Sequence, residues 1–123
     1  MVTATVLIVD DHASFRGLAR RVLTAGGFVV VGEAADGAEA LRAVEALRPD
    51  VVLLDIQLPD MDGFGVAAAL AGDHVATGVV LVSSRAAADY GARIADSNAL
   101  GFIAKADLGP ESLQSLLESV GGR

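Results

Sequence analysis

Five short apolar runs, each followed by a stretch of helical periodicity, limit what this chain can fold into. Val6-Leu7-Ile8-Val9 is the first run. Phe15, Leu18, Ala19, Val22 and Leu23 follow it at the i, i+3, i+4, i+7, i+8 spacing of one helix face. Gly26-Gly27 stops that helix, and Phe28 to Val31 forms the second run. Asp36-Gly37 opens a second helix with Leu41, Val44 and Leu47 on one face, and Pro49 closes it. Val51 to Leu54 reads as a third strand, Gly63 to Ala71 as an Ala-rich helix, and Val79 to Val82 as a fourth strand. Ala86 to Ser97 reads as helix, with Gly91 as a weak point inside it. Phe102-Ile103 centres a fifth strand. Leu113, Leu116, Leu117 and Val120 mark a last helix, with Pro110 near its start. Alternation of this kind predicts an α/β fold of (βα)5 type, a parallel sheet with helices on both faces.

The 123 residues suffice for one domain with one core, and no boundary, repeat or low-complexity tract divides them. The expectation is a single domain over residues 1–123, because Gly121-Gly122-Arg123 follows directly on the last helix. The chain lacks cysteine, which excludes disulfides and thiolate metal sites, and its two histidines, His12 and His74, lie far apart. A metal here would be hard and oxygen-ligated. The net charge of −7 argues against direct nucleic-acid binding. No apolar run reaches the ~18 residues of a membrane span, and the N-terminus lacks a signal-peptide pattern. A cytoplasmic location is the expectation.

In an open parallel sheet, ligands bind beyond the carboxyl ends of the strands. The first strand ends in Asp10-Asp11, the third in Asp55, the fourth in Ser83-Ser84, and Lys105 follows the fifth. The second ends only in Gly32-Glu33. Asp55 stands out, because it closes the doubly buried run Val51-Val52-Leu53-Leu54 just before a Pro59-Asp60-Met61-Asp62-Gly63 turn. Taken singly, each residue has a plainer reading. An Asp after a strand is commonly a turn or cap residue, Ser83 a helix cap, and Lys105 a solvated charge. His12 reads as a solvent-facing loop or helix-start residue and His74 as loop. Glu39, Glu45 and Arg48 read as an exposed helix face. Coincidence at four strand ends favours a site built from Asp10, Asp11, Asp55, Ser83 and Lys105.

These blocks resemble the receiver domain of two-component response regulators. Val9-Asp10-Asp11-His12, the segment Pro49 to Gly63, Val82-Ser83-Ser84 and Gly101-Phe102-Ile103-Ala104-Lys105 match that family in order and near its spacing, from Val6 to the last helix. The resemblance implies a flavodoxin-like three-layer doubly wound fold with strand order 2-1-3-4-5. With strands about 4.8 Å apart, Asp11 and Ser83 would reach a group on Asp55 with short side chains. Strand five lies roughly 10 Å away, where only a side chain as long as Lys105 spans the gap.

The resemblance further implies that Asp55 takes a phosphoryl group from a sensor histidine kinase or phosphotransfer protein. Mg²⁺ would be held by Asp10, Asp11, Asp55 and the backbone carbonyl of Gln57, with Lys105 and Ser83 assisting. Ser83 and Phe102 would act as switch residues toward a surface of fourth helix, fifth strand and fifth helix. The chain would be no enzyme beyond its own phosphorylation and dephosphorylation, and would act on an unknown downstream protein as a monomer or phosphorylation-dependent homodimer. Three departures stand out. Phe102 occupies a position where Tyr is frequent, Ala106 follows Lys105 where many relatives have Pro, and Arg85 lies two residues after Ser83. A cis bond before Ala106 would cost about 2.5–4 kcal/mol, which argues against that geometry here, and Arg85 is placed to influence water access to a phosphoryl group. Two rival readings stand beside this one. A haloacid-dehalogenase-like phosphohydrolase wants Asp-x-Asp at the first strand, whereas this chain has adjacent acids there and its nucleophile candidate on the third. The other is the receiver fragment of a DNA-binding transcriptional regulator of helix-turn-helix type.

Overall fold

The computed structural model describes residues 4–72 and 77–121. His74 therefore lies outside the described residues, as do Gly122 and Arg123 and the side chain of Val120. The elements in chain order are β1 Thr5–Val9, α1 Ala13–Ala25, β2 Val29–Ala34, α2 Gly37–Leu47, β3 Val51–Asp55, α3 Gly63–Gly72, β4 Gly78–Ser83, α4 Arg93–Asp96, β5 Gly101–Ala104 and α5 Pro110–Gly121. All pairings in the five-stranded sheet are parallel and the order is β2-β1-β3-β4-β5.

The period-2 geometry of strands divides the core in two. Leu7, Val9, Val52, Leu54, Val79 and Leu81 pack with Ala40 and Val44 of α2 and Val66, Ala67 and Leu70 of α3. Val6, Ile8, Val51, Leu53, Val80 and Val82 pack on the other face with Ala19 and Leu23 of α1 and Leu113 of α5. Every residue of β3 is buried, including Asp55. A central strand covered on both faces has no solvated side, which is why its sequence reads as a continuous apolar run.

Two expected elements differ. β2 runs to Ala34, past the expected end at Val31. It is an edge strand, bonded only to β1 with a register shift at Val6/Leu7, so Gly32 and Glu33 extend the ladder without an apolar pattern. The helix expected over Ala86–Ser97 is broken. Ala87–Tyr90 forms one 3-10 turn, Gly91 takes φ +58°, and α4 is a single turn. Only Tyr90 and Ile94 offer large apolar groups at helical spacing there, and neither is fully buried, so packing does not repair the glycine break.

Other local signals work as their residue types suggest. Asp36 caps α2 by accepting from the Glu39 N–H at 2.8 Å, and Glu39 reaches back to the Ala35 N–H at 2.6 Å. Glu39 is thus part of a capping arrangement and not merely an exposed face residue. Pro49 closes α2 after Arg48, which adopts the left-handed conformation at φ 47°.

Candidate functional site

Asp10, Asp11, Asp55, Ser83 and Lys105 all sit at the carboxyl edge of the sheet, but they do not all touch. β1 is hydrogen-bonded to β3, which brings the acids after Val9 beside Asp55. One ligand atom from each of Asp10, Asp11, His12 and Asp55 falls within 4.8 Å of the others. Lys105 Nζ crosses from the far side of β4 to Asp10 Oδ2 at 2.5 Å and Asp55 Oδ2 at 3.4 Å. Its ammonium also lies 4.6 Å from the Phe15 ring centroid, so α1 roofs the cluster.

Burial dominates the electrostatics. Asp10 is fully buried and Asp55 is 2 % exposed. Desolvation pushes the Asp55 carboxyl above the ordinary aspartate range, opposed by the Gln57 N–H at 3.1 Å; the Asp10 charge adds to the rise and Lys105 works against it. Burial also acts to lower the Lys105 pKa, but its contact with Asp10 and the charges of Asp55 and Asp10 outweigh that and hold it above the usual lysine value. Asp10 Oδ2 meets Lys105 as an ion pair and has no aligned hydrogen-bond donor among the described residues. The site thus gathers three carboxylates, two of which share one ammonium. The three carboxylates supply an oxygen donor set, one of whose buried oxygens lacks a directed donor, that fits a hard divalent cation.

The loops are held by side chains that carry little signal in the sequence. Arg16 Nη1 donates to the Asp10 carbonyl at 2.6 Å, and its Nε pairs with Glu33 at 3.0 Å. Arg20 pairs with the other oxygen of Glu33 at 2.7 Å. The Arg20 hydrogen bond, with help from Arg16, depresses the Glu33 pKa. Strand two therefore does contribute at its end, through Glu33. His12, expected to be a solvent-facing residue without a role, is two-thirds exposed yet places Nδ1 3.1 Å from both Asp10 and Asp11.

The turn after β3 is similarly fastened. Asp60 accepts from the Gly37 and Ala38 N–H groups, tying the turn to the start of α2. Asp62 accepts from Gly65 N–H at 2.8 Å and pairs with Arg93 at 2.9 Å. The Gly63 N–H donates to the Ile56 carbonyl at 2.7 Å, and a Cβ at Gly63 would lie 2.7 Å from the Asp55 carbonyl oxygen. Glycine is required there for the close approach.

Ser83 is buried, one residue past the Asp55↔Val82 pair of the β3–β4 ladder. Its Oγ accepts from Arg85 N–H at 3.0 Å and bonds Tyr90 Oη at 2.6 Å. Tyr90 packs against Phe64 and Phe102, with ring centroids 5.9 and 6.3 Å away. No sequence signal singled out Tyr90, although it is the one tyrosine in the chain. Lys105–Asp107 forms a 3-10 turn, and no peptide bond among the described residues is cis. Arg85 is exposed.

A doubly wound sheet with an acidic cluster and a lysine at its carboxyl edge defines a narrow class of proteins. The family model described as "Response regulator receiver domain" matches residues 6–118, and the chain belongs to that family. It is 39 % identical over 119 residues to the probable transcriptional regulatory protein NarL of Mycobacterium tuberculosis, covering 96 % of this chain and 55 % of that one. The structure of the NarL signal receiver domain superposes with a TM-score of 0.88 at 37 % identity over the whole of both chains. A CheX-CheY-BeF3-Mg complex from Borrelia burgdorferi matches with a TM-score of 0.82 at 28 % identity, over 95 % of this chain and 88 % of that one. The chain spans about half the length of the curated regulators it matches first. As a response regulator receiver domain it serves two-component signalling. No helix among the described residues is long and apolar enough to cross a membrane.

Proposed function

We propose that Asp55 is the phosphoacceptor of a Mg²⁺-dependent signalling switch. The observation that carries this reading is the meeting of Asp55, two further acids and Lys105 at one edge of the sheet, with Asp55 and Asp10 themselves buried. A carboxylate oxygen of Asp55 attacks the phosphorus of a phosphohistidine on a sensor kinase or phosphotransfer protein. The P–O bond forms as the P–N bond breaks, and the electron pair returns to the imidazole, which takes up a proton. Asp10, Asp11, Asp55 and the backbone carbonyl of Gln57 would hold Mg²⁺. When bound, the ion supplies positive charge against the transferred oxygens. Lys105, in contact with Asp55, would supply more. The similar Borrelia complex contains Mg and BeF3, which supports the same ligand chemistry here.

The phosphoryl group adds about −1.5 to −2 charges at this edge. Ser83 turns toward it, Phe102 repacks, and the α4-β5-α5 surface shifts between pre-existing states. The chain carries no turnover of an external substrate, works in the cytoplasm, and reads out through protein contacts as a monomer or a phosphorylation-dependent homodimer. A second reading is favoured by the coverage of NarL, of which this chain spans 55 %: it would be the receiver portion of a DNA-binding regulator. Reading the gene past Arg123 decides between them. Intact mass after incubation with Mg²⁺ and a small acyl-phosphate donor tests the chemistry. The wild type gains one base-labile phosphoryl group and Asp55→Asn gains none; equal gain by both would overturn the reading.

A further inference from the structure

The hydroxyl of Ser83 is already committed. It is fully buried, accepts the Arg85 N–H at 3.0 Å and bonds Tyr90 Oη at 2.6 Å. The Asp55 carboxylate is bonded instead to Gln57 N–H and Lys105. Ser83 has one proton and two lone pairs, and two of its three bonding directions point into the segment that follows β4.

Tyr90 is fixed independently of that bond. Its ring stands edge-on to Phe64 at 5.9 Å and tilted against Phe102 at 6.3 Å. Gly91, at φ +58°, turns the chain immediately afterwards. The chain then returns through Arg93, whose guanidinium lies 4.3 Å above the Phe64 ring and pairs with Asp62. The phenol is therefore seated by packing, and its hydroxyl is presented to Ser83. Phe102 has no hydroxyl to offer from β5.

We propose that Tyr90 is a positioning residue that latches Ser83 away from Asp55, so that Ser83 exchanges the Tyr90 hydroxyl for a phosphoryl oxygen when Asp55 is modified. This rests on the phosphoacceptor reading above. Release of the latch frees the Ser83 hydroxyl and leaves Tyr90 held by its ring packing alone, in a segment, residues 87–93, where no residue is fully buried. The latch sets the resting population, because a bond made only in the unmodified state opposes modification.

The test uses the whole chain with Mg²⁺ and beryllofluoride, a stand-in for the acyl phosphate. Tyr90 is the only tyrosine and the chain has no tryptophan, so its emission reports the latch without a mutation. The emission of the wild type changes on saturation, and an unchanged emission would overturn the proposal. Tyr90→Phe binds beryllofluoride about fivefold more tightly by calorimetry, the size expected for one net hydrogen bond no longer broken. Ser83→Ala and the Ser83→Ala/Tyr90→Phe double variant bind alike. Equal or weaker binding by Tyr90→Phe, or a gain that persists without Ser83, would overturn the latch alone. Failure of the wild type to bind, or binding by Asp55→Asn as strong as the wild type's, would overturn the phosphoacceptor reading and the latch with it.

Discussion

The chemistry at the residue scale is a matter of burial set against charge. Asp55 and Asp10 remain in the interior because Lys105 reaches both. Removing one partner of a fully buried pair costs about 3–5 kcal/mol. Lys105 is 16 % exposed, so Lys105→Ala should cost somewhat less, about 2–3 kcal/mol, in metal-free buffer. The same variant should gain more from Mg²⁺ than the wild type, since the ion then neutralises carboxylates that nothing else offsets. Denaturant melts with and without Mg²⁺ check both statements, and an equal metal response would contradict them. Glu33 gives a pH signature. Its folded pKa lies below its unfolded value, held there by Arg20 and then Arg16. Its contribution is therefore present above the unfolded value of about 4.3 and is lost as pH falls through the folded one. Glu33→Gln should destabilise by up to about 1 kcal/mol at neutral pH, with the gap closing on acidification. Asp55 and Lys105 were legible because strand ends are legible. The Arg16–Glu33 pair was not, because it joins residues 17 apart across a helix crossover. Tyr90 was hidden as a lone aromatic in a segment that reads as ordinary helix.

Elements are positioned by a few backbone approaches. The turn from Pro59 to Gly63 binds β3 to the starts of both α2 and α3 through Asp60 and Asp62. Gly63 is its tightest point, since a methyl group there would meet the backbone of Asp55 and Ile56. Gly63→Ala should destabilise by about 1–3 kcal/mol, the range for overpacking, and should slow phosphorylation by displacing Asp55. Urea melts and phosphorylation rates measure the two effects, and a rate unchanged in a folded variant would contradict the coupling. The apolar runs located β1, β3 and β4 closely, because buried central strands must be apolar along their length. They located β2 less well, as an edge strand is held by only one ladder. They overextended the fourth helix, where Gly91 and a sparse apolar stripe leave a 3-10 turn and one turn of helix.

For the whole molecule, the sheet order is what converts scattered residues into a site. Strand β3 lies between β1 and β4, so acids near the start of the chain and a lysine near its end converge on Asp55. The (βα)5 alternation made the layered architecture readable, whereas the strand order came from resemblance to a family and not from periodicity. The acidic cluster is a standing electrostatic cost that a bound divalent cation would relieve. Ligand at 100 times its dissociation constant stabilises by about 2.7 kcal/mol, so saturating Mg²⁺ should raise the melting midpoint by several degrees. Asp11→Asn should reduce that rise, as followed by thermal melts. The central claim is that the phosphoryl group resides on Asp55. Borohydride reduction of the phosphorylated protein converts an acyl-phosphorylated aspartate to homoserine, which peptide mass spectrometry then locates. The account predicts homoserine at position 55 alone; homoserine at position 10 or 11, with Asp55 intact, would contradict it.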